Sequence, residues 1–566
     1  MYNFTWDVFK ARTQLSWHVF YLLVNGPILF VLFSLWKYWY APYASPLACI
    51  RGPKTKHWFY GFLTPAEARE LQMSPKLLEY CSQYDGVWHA TFTNRRPTLV
   101  LGDQEAINYV LNNAQTYVRA EAQMRVTRLV FGEGLVGVDG PQHKRQRKVV
   151  GPAFSSVAVD GMAPVFYLMA EKLANNWKTR FSGRKLFETN AYREFEALSM
   201  DIIGLAGFKY DFKSLQGQRS QLEAAFVNVT KNAATGSAYV SLRAQFPLIG
   251  ALGHFLSKEQ VQLDRYKSDI EDISKKLVQG ARSRIKRPSE RLDEASDHRS
   301  PRNRDILTLL VQSNLSSDEK DRLPEEEIVS MVPTFLSGGY DNNAAVMSYA
   351  VYGLTHFPET QDRLRDELLH PPKECSSWRD SLRALDRLPY LDAVTREVLR
   401  LYSSAHSIPR TCSKDDIIPL GKPIQLRDGT WTDQVRIAAG DDVVIPQKWM
   451  NIDPAKWGPD AHVFKPERWI ESQWHPHYVG GLPPRVKNCK TSGWSNLMTF
   501  SLGPRNCIGY KMAVAELKVG LAVLVSNFEF IKHDEMKHVY GEVQIVDRPR
   551  VEGREGYCMP VWVKRL

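Results

Sequence analysis

The sequence predicts a mainly α-helical protein with small β-sheets, preceded by one N-terminal transmembrane helix. Long amphipathic stretches alternate with Pro- and Gly-marked turns from about residue 60 onward, which is typical of helices joined by short connections. Short strand-like runs lie between them, and an uncharged apolar run lies near the N-terminus. With 566 residues, 44% of them hydrophobic and 24% charged, the chain has the composition of a folded protein.

The individual elements follow from their hydrophobic periodicity. The predicted helices include Val157–Phe181, Gln221–Ala234, Lys258–Arg284 and Leu388–Tyr402. The predicted strands are Val87–Thr93 with Thr98–Leu101, Gln434–Ile437 with Val443–Ile445, and Tyr557–Val563.

Charge and cysteine content exclude several classes of protein. The formal net charge of +11 suits an acidic protein partner or an anionic membrane surface, or reflects a solvated basic surface. The sequence contains no zinc-finger spacing and no RNA-binding signature, so we expect no nucleic-acid partner. Its seven cysteines are odd in number and form no CxxC pair, which argues against a disulfide framework and indicates a reducing compartment.

The N-terminal apolar run, about residues 19–36, predicts a membrane anchor. It carries no charged side chain, is near the minimum length for a spanning helix, and is flanked by aromatic residues. A cleaved signal peptide is the alternative, but no clean cleavage site follows. Basic residues after the run place the rest of the chain in the cytosol. We therefore predict an N-terminal segment 1–40, a Pro-rich connector 41–60 and a catalytic domain 61–566.

A ten-residue motif near the C-terminus carries the chemistry. Residues 500–509 read FSLGPRNCIG and precede a helical pattern. Cys507 stands just before the helix N-terminus, where the helix dipole favours a thiolate. Arg505 offers a positive fork for a carboxylate, and Phe500 an apolar wall beside the sulfur. Gly509 allows a tight turn or the close approach of a flat ligand. A buried cysteine in a glycine-containing loop is the alternative to a ligand.

With every fixed position of FxxGxRxCxG filled, the chain resembles the cytochrome P450 superfamily, in particular its fungal-type, membrane-anchored members. The resemblance runs from about residue 50 to the C-terminus. It implies the cytochrome P450 fold and a haem whose iron is ligated by Cys507, with Phe500, Arg505 and Gly509 also binding the cofactor. Thiolate ligation directs electron density to haem iron and favours cleavage of dioxygen.

Other segments match further motifs of the same family. Glu397 and Arg400 are three residues apart on one predicted helix, and Arg468 follows in a Pro-Glu-Arg segment. The resemblance makes these three a buried charge network with a structural role. It also makes His143, Arg147 and Arg410 ligands of the haem propionates. Without the resemblance, His143 and Arg147 would be taken for a solvated basic helix start.

The helix predicted to cross the haem departs from the family pattern. Gly338-Gly339-Tyr340-Asp341-Asn342 occupies the place of [AG]Gx[DE]T. Asp341 fills the acid position of the proton-delivery pair, but Asn342 replaces the hydroxyl-bearing threonine. Asn342 or its neighbour could order a water molecule, or a substrate hydroxyl could complete the relay. Alternatively, the enzyme could be an isomerase or dehydratase that needs no reductase.

The implied function is a monooxygenase that oxidises a lipophilic small molecule, such as a terpenoid-like secondary metabolite, with O2. The alternatives are a haem-thiolate isomerase or dehydratase and a non-catalytic haem-binding protein. The sequence has no flavin or nicotinamide fingerprint, so the implied electron donor is NADPH–cytochrome P450 reductase. The expected location is the endoplasmic reticulum membrane, spanned once, with the catalytic domain facing the cytosol. Candidate docking cations for the reductase are Lys144, Arg145, Lys148, Lys511 and Lys518.

Overall fold

The computed structural model describes residues 44–57, 60–64, 73–92, 96–218, 220–226, 258–286, 305–470, 493–543 and 546–566, together with a few isolated positions. The described chain is mainly helical with small sheets, as predicted. Its α-helices are, in chain order, α1 (Met73–Gln83), α2 (Gln104–Asn112), α3 (Glu121–Phe131), α4 (Gly140–Val150), α5 (Ser156–Arg180), α6 (Ala191–Ile202), α7 (Lys258–Lys286), α8 (Ile306–Ser316), α9 (Glu325–His356), α10 (Pro358–Leu369), α11 (Leu382–Leu385), α12 (Pro389–Leu401), α13 (Gln447–Ile452), α14 (Pro454–Trp457) and α15 (Tyr510–Val525).

The strands are short, and most pair antiparallel. In chain order they are β1 (Val87–Thr91), β2 (Pro97–Leu101), β3 (Tyr117–Val118), β4 (Leu186–Asn190), β5 (Ile408–Cys412), β6 (Asp416–Gln425), β7 (Trp431–Ile437), β8 (Asp442–Ile445), β9 (Phe528–Lys532), β10 (Val539–Val543), β11 (Asp547–Val551) and β12 (Pro560–Arg565).

The chain divides into two compact units. Unit 1 comprises residues 1–109 and 410–445. In it β1 pairs antiparallel with β2, β2 pairs parallel with β8, and β6 forms a separate ribbon with β7. Part of the predicted connector packs into this unit, since Leu47 and Ile50 are buried and the Ser45 hydroxyl donates to Asp441 at 2.8 Å.

Unit 2 comprises residues 110–409 and 446–566 and contains the long helices. Helix α9 is its central element and packs against α6, α12 and α15. Pro324 precedes its first turn, and three glutamates in that turn complement the helix dipole. Two small sheets complete the unit, one ordered β4-β12-β9 and the other a β10–β11 hairpin.

The strands predicted at Gln434–Ile437 and Val443–Ile445 both form, but they do not pair with each other. The run Gln434–Ile437 lies in β7, which pairs with β6 and not with Val443–Ile445. The latter lies in β8 and pairs with β2, more than 300 residues earlier in the chain. Strand β6 is not predicted, because two prolines and a glycine interrupt its alternation of polar and apolar residues. Its pairing with β7 also shifts register between Pro419 and Ile424.

The N-terminal predictions concern a part of the chain that lies almost entirely outside the described residues, including the proposed anchor at about residues 19–36. Within the described ranges, no single helix combines the length and the apolar character needed to cross a bilayer. One pair, Gly140–Phe154 with Ser156–Arg180, meets that criterion only when both are taken together, and it is bent by 53° between its halves.

Candidate active site

The loop of residues 500–509, which carries the predicted iron ligand, is closed by a main-chain hydrogen bond. The N–H of Cys507 donates to the carbonyl oxygen of Phe500 at 2.8 Å. Gly503 turns the chain with a φ of +68°, and a Cβ there would lie 2.6 Å from the carbonyl oxygen of Leu111. Glycine is the residue that accommodates both this backbone angle and this approach. The loop leads directly into α15, as the sequence predicted.

The Cys507 side chain is accessible to solvent although protein surrounds it. Its surface is accessible, yet burial by surrounding protein raises the pKa of its thiol. Both observations hold for a side chain that lines a space enclosed by the protein. The N–H of Gly509 donates to the sulfur and the charge of Arg147 attracts it, and each lowers the pKa. Since iron binds the thiolate, these two contacts favour the form that a haem requires.

Arg147 supports the loop directly. From the last turn of α4 it donates to the main-chain carbonyl of Asn506 at 2.8 Å and also to the Asn506 side chain. One helical turn earlier, His143 is buried, and its pKa is lowered to about 4 by burial and by the charges of Arg147 and Arg119. His143 is therefore neutral at neutral pH. Contact of His143 and Arg147 with haem propionates stays a prediction.

Two arginines share a single carboxylate beside the loop. Arg505 donates to the carbonyl of Val138 at 2.5 Å and pairs with Asp139. Arg119 pairs with the same carboxylate at 3.3 Å and donates to the Val138 carbonyl at 2.7 Å. Burial, together with the charge of Arg119, lowers the pKa of Arg505 to about 9, and burial lowers that of Arg119 to about 10. The excess of positive charge in a desolvated setting fits the carboxylates of a haem.

Sequence reasoning missed Arg119 and Asp139 as members of this cluster. Asp139 directly precedes the first turn of α4. A carboxylate at a predicted helix start is a sequence signal that indicates a polar contact there. Arg119 precedes α3 by two residues, and no local pattern in the sequence marks it as part of a binding cluster.

Aromatic rings surround the loop. The ring of Phe500 lies 5.6 Å from that of Trp494, edge to face, and 5.9 Å from that of Tyr510. On another side, Phe154 lies edge to face with Phe335 of α9 at 5.3 Å. A Cβ built on Gly509 would meet the Phe154 ring at 3.6 Å.

The contact of Phe154 with both Phe335 and Gly509 brings one face of α9 towards the cysteine loop. Phe335, Gly338 and Asn342 lie on that face because they are three and seven residues apart. Most of α9 between Glu327 and Thr355 is buried, but Gly338 is exposed and a Cβ there would meet nothing within 4 Å. Asn342 is partly exposed. This open stretch of a buried helix lines a space rather than a packed interface, which suits a flat cofactor.

Gly339 has a different role from Gly338. A Cβ on Gly339 would lie 2.6 Å from the Ile203 side chain, in the π-helical turn Ile203–Phe208 that follows α6. The second glycine of the motif is thus needed for close packing of α9 against its neighbour.

Asp341 is a buried ion-pair partner. Arg548 of β11 donates to its two oxygens at 2.9 and 2.5 Å, and the Tyr192 hydroxyl donates at 3.0 Å. Burial alone would lower the pKa of Arg548, but the hydrogen bonds and charge of Asp341 raise it well above its usual value. Sequence reasoning missed Arg548, which lies 207 residues from Asp341. The role of Asp341 in proton delivery stays a prediction.

Asn342 has a hydroxyl partner. The Ser404 hydroxyl donates to Oδ1 of Asn342 at 2.8 Å, and Nδ2 of Asn342 lies 3.4 Å from the Gly338 carbonyl oxygen. Ser404 follows α12 and is itself partly exposed.

The structural network has the expected members. Glu397 accepts hydrogen bonds from Arg400 at 2.8 and 2.9 Å and from Arg468 at 2.9 Å, and Glu397 and Arg400 are fully buried. Arg400 also donates to the main-chain carbonyls of Asn451 and Ala461. The network thus fastens α12 to the segments that lead towards the cysteine loop.

Two other predictions concern charged residues. Lys518, predicted to dock an acidic partner, is instead buried and pairs with Asp386 at 2.9 Å and Asp392 at 2.8 Å, so this prediction is wrong. Arg410, a predicted propionate ligand, is buried in β5 and is the first residue of the second segment of unit 1. Its contact with haem stays a prediction. Of the other docking candidates, Arg145 pairs with Glu327 and Lys148 with Asp321.

Comparison with known proteins agrees with this geometry. The family model described as Cytochrome P450 matches residues 51–550. Cytochrome P450 monooxygenase 128 of Postia placenta is 32% identical, over 93% of this chain and 94% of the relative. Cytochrome P450 monooxygenase claU of Ampulloclitocybe clavipes is 30% identical, over 95% of this chain and 97% of the relative. The chain therefore belongs to the cytochrome P450 family and is a haem-thiolate monooxygenase.

Proposed function

We propose that this monooxygenase oxidises a lipophilic small molecule, with Cys507 as the iron ligand and an NADPH-dependent cytochrome P450 reductase as the electron donor. One oxygen atom of O2 enters a C–H or C=C bond, and the other leaves as water after the uptake of two electrons and two protons. The observation that carries the proposal is the setting of the Cys507 sulfur. Protein surrounds this sulfur, yet it is accessible, and the Gly509 N–H and the charge of Arg147 stabilise its thiolate form.

In this proposal the haem supplies the activation of dioxygen, and the chain holds and shields it. Cys507 is the thiolate ligand, and Phe500 limits water beside the sulfur. Arg505, His143, Arg147 and Arg410 bind or neutralise the propionates. The cluster of Arg505 and Arg119 on a single carboxylate supports this assignment, because it leaves positive charge to be satisfied.

Proton supply is assigned to Asp341 and Asn342. Asp341 is paired with Arg548, so its side chain must leave this partner before it can take part in proton delivery. Asn342 can donate from its amide, but an amide does not relay a proton as a hydroxyl does.

The substrate class rests on the setting of the site. The aromatic side chains Phe154 and Phe335 border the open face of α9, which suits an apolar compound. The named relatives are monooxygenases of fungi, and a terpenoid-like secondary metabolite is our proposal for the substrate.

The membrane and the reductase belong to the same proposal. The uncharged run at about residues 19–36 would hold the enzyme in the endoplasmic reticulum membrane, with the catalytic domain in the cytosol and close to a lipophilic substrate. Lys144 and Lys148 are exposed, and the net charge of +11 suits an acidic docking surface on the reductase.

The first experiment is a carbon-monoxide difference spectrum of the reduced protein beside Cys507→Ala and Cys49→Ala. Cys49 is the control because it is an exposed cysteine outside the loop. We expect the long-wavelength Soret band of thiolate-ligated haem in the wild type and Cys49→Ala, and its loss in Cys507→Ala. Retention of that band in Cys507→Ala would refute the ligand assignment.

Turnover separates the remaining alternatives. With reductase, NADPH and a panel of terpenoids, a monooxygenase forms products that carry one atom from labelled O2. Product formation without NADPH or O2 would identify an isomerase or dehydratase instead. A haem-loaded protein that neither oxidises NADPH through the reductase nor changes its spectrum with any ligand would be a non-catalytic binder.

A further inference from the structure

The amide of Asn342 is held in one orientation by a residue outside the α9 motif. The Ser404 hydroxyl donates to Asn342 Oδ1 at 2.8 Å, so the amide oxygen faces Ser404. The amide nitrogen lies on the side of Gly338, 3.4 Å from its carbonyl oxygen, a long contact that leaves this group weakly bound. The amide nitrogen therefore lies beside the exposed residue Gly338 of α9.

Ser404 is itself fixed by the strand that holds Asp341. The main-chain N–H of Asp547 donates to the Ser404 carbonyl at 2.8 Å. The Asp547 side chain binds His406 at 2.5 Å and Lys448 at 3.2 Å, which anchors the segment after α12. The next residue, Arg548, holds Asp341. One strand, β11, thus fixes the partners of both residues of the Asp341–Asn342 pair.

We propose that Ser404 is a positioning residue which fixes the Asn342 amide so that its N–H groups serve as hydrogen-bond donors on the dioxygen-binding side of the haem. The proposal rests on the proposed function and assigns to a Ser404–Asn342 pair the donor role of the hydroxyl that α9 lacks. The hydroxyl of Ser404 acts through Asn342. Without it, the amide can rotate and present its oxygen, an acceptor, to the same place.

The test uses full-length, haem-loaded protein, with carbon monoxide as the probe of hydrogen bonding. The variants are Ser404→Ala, Asn342→Ala, the double variant, and Ser404→Thr as the conservative replacement. The infrared stretching band of carbon monoxide in the reduced protein reports on donors near the bound gas and needs no substrate. We expect Ser404→Ala to broaden the band and move it to higher frequency, and Ser404→Thr to restore it.

A second readout is the hydrogen peroxide released per NADPH oxidised in the presence of reductase. Loss of one oriented neutral hydrogen bond corresponds to about a fivefold effect, so we expect peroxide release to rise about fivefold relative to water formation in Ser404→Ala. Adding Ser404→Ala to Asn342→Ala should cause no further change in band or peroxide yield, because the amide through which Ser404 acts is gone.

The outcomes are distinguishable from failure of the proposed function. If the wild type gives no thiolate-type carbon-monoxide spectrum, the proposed function fails first. If that spectrum is present but Ser404→Ala leaves the infrared band and the peroxide yield unchanged, the positioning role is overturned. The role is equally overturned if Ser404→Ala has the same effect with and without Asn342. Thermal midpoints of all variants identify any change that is merely a loss of folding.

Discussion

Glu397→Gln gives the sharpest test of how the protein supports its cysteine loop. The Glu397 carboxylate accepts hydrogen bonds from five N–H groups, two of Arg400 and one each of Lys465, Arg468 and Trp469. An amide of the same shape keeps one acceptor oxygen and turns an NH2 group towards donors. It also removes the counter-charge of buried Arg400 and leaves Arg468 with Asp460 at 3.3 Å.

The magnitude follows from burial. Removing one partner of a buried ion pair costs about 3–5 kcal/mol, because the remaining charge stays desolvated. Unit 2 contains about 420 residues, and an unfolding entropy of about 2.1 cal/mol/K per residue gives it roughly 0.9 kcal/mol/K. Glu397→Gln should therefore lower the thermal midpoint of this unit by about 3–6 °C. Because α12 is fastened through this network, we also expect faster loss of haem.

Asp362→Asn is the matched control. Asp362 and Arg365 have the same acid-to-arginine spacing of three residues on α10, with an N–O distance of 2.6 Å, but the Asp362 side chain is 70% exposed. Exposed pairs contribute about 0–1 kcal/mol, so the midpoint should move by about 1 °C or less. Thermal unfolding followed by circular dichroism, with Soret absorbance in parallel, measures both variants. Equal shifts in the two variants would refute the reasoning from burial.

Three further predictions concern other residues of unit 2. Burial raises the pKa of Glu516 from its ordinary value of 4.5 to about 8. The free energy of unfolding should therefore fall by roughly 5 kcal/mol as the pH rises from about 4.5 to about 8. Thermal midpoints between pH 5 and 9 should therefore fall in the wild type and stay level in Glu516→Gln. Gly503→Ala should release haem faster than Gly509→Ala, because only the former has a positive φ and a Cβ blocked by main chain, and equal release rates would contradict this. Arg548→Met should cost about 3–5 kcal/mol by leaving Asp341 unpaired, and adding Asp341→Asn should recover part of that loss in a denaturation assay.

The sequence was most informative where the chemistry is concentrated in a few consecutive residues. The loop 500–509 and the Glu397–Arg400 pair could be predicted because their spacing specifies geometry directly, as a turn before a helix and as one helix face. The structure places Cys507 and Arg400 in the settings that those spacings require. Such local predictions need no knowledge of how distant segments meet.

Predictions failed where a partner lies far along the chain. Lys518 was predicted as a surface cation, but Asp386 and Asp392 neutralise it, and both lie more than 120 residues earlier. No local pattern indicates the pairing of β8 with β2 either, because the two strands are more than 300 residues apart. Hydrophobic periodicity shows which residues of an element are buried, but it does not identify the element that covers them.

The Asp341–Asn342 pair shows how much of the site depends on such distant contacts. From sequence alone, Asn342 stands where the family motif has a threonine, and Asp341 fills the acid position of that motif. In the structure each has a polar partner, Ser404 for the amide and Arg548 for the carboxylate, and β11 fixes both. Strand β11 supplies the Arg548 side chain to Asp341 and a main-chain N–H to Ser404, so the residue types at positions 341 and 548 depend on each other. The altered motif on α9 is therefore best interpreted together with β11 and Ser404. These partners determine which hydrogen-bonding groups Asp341 and Asn342 present to the site.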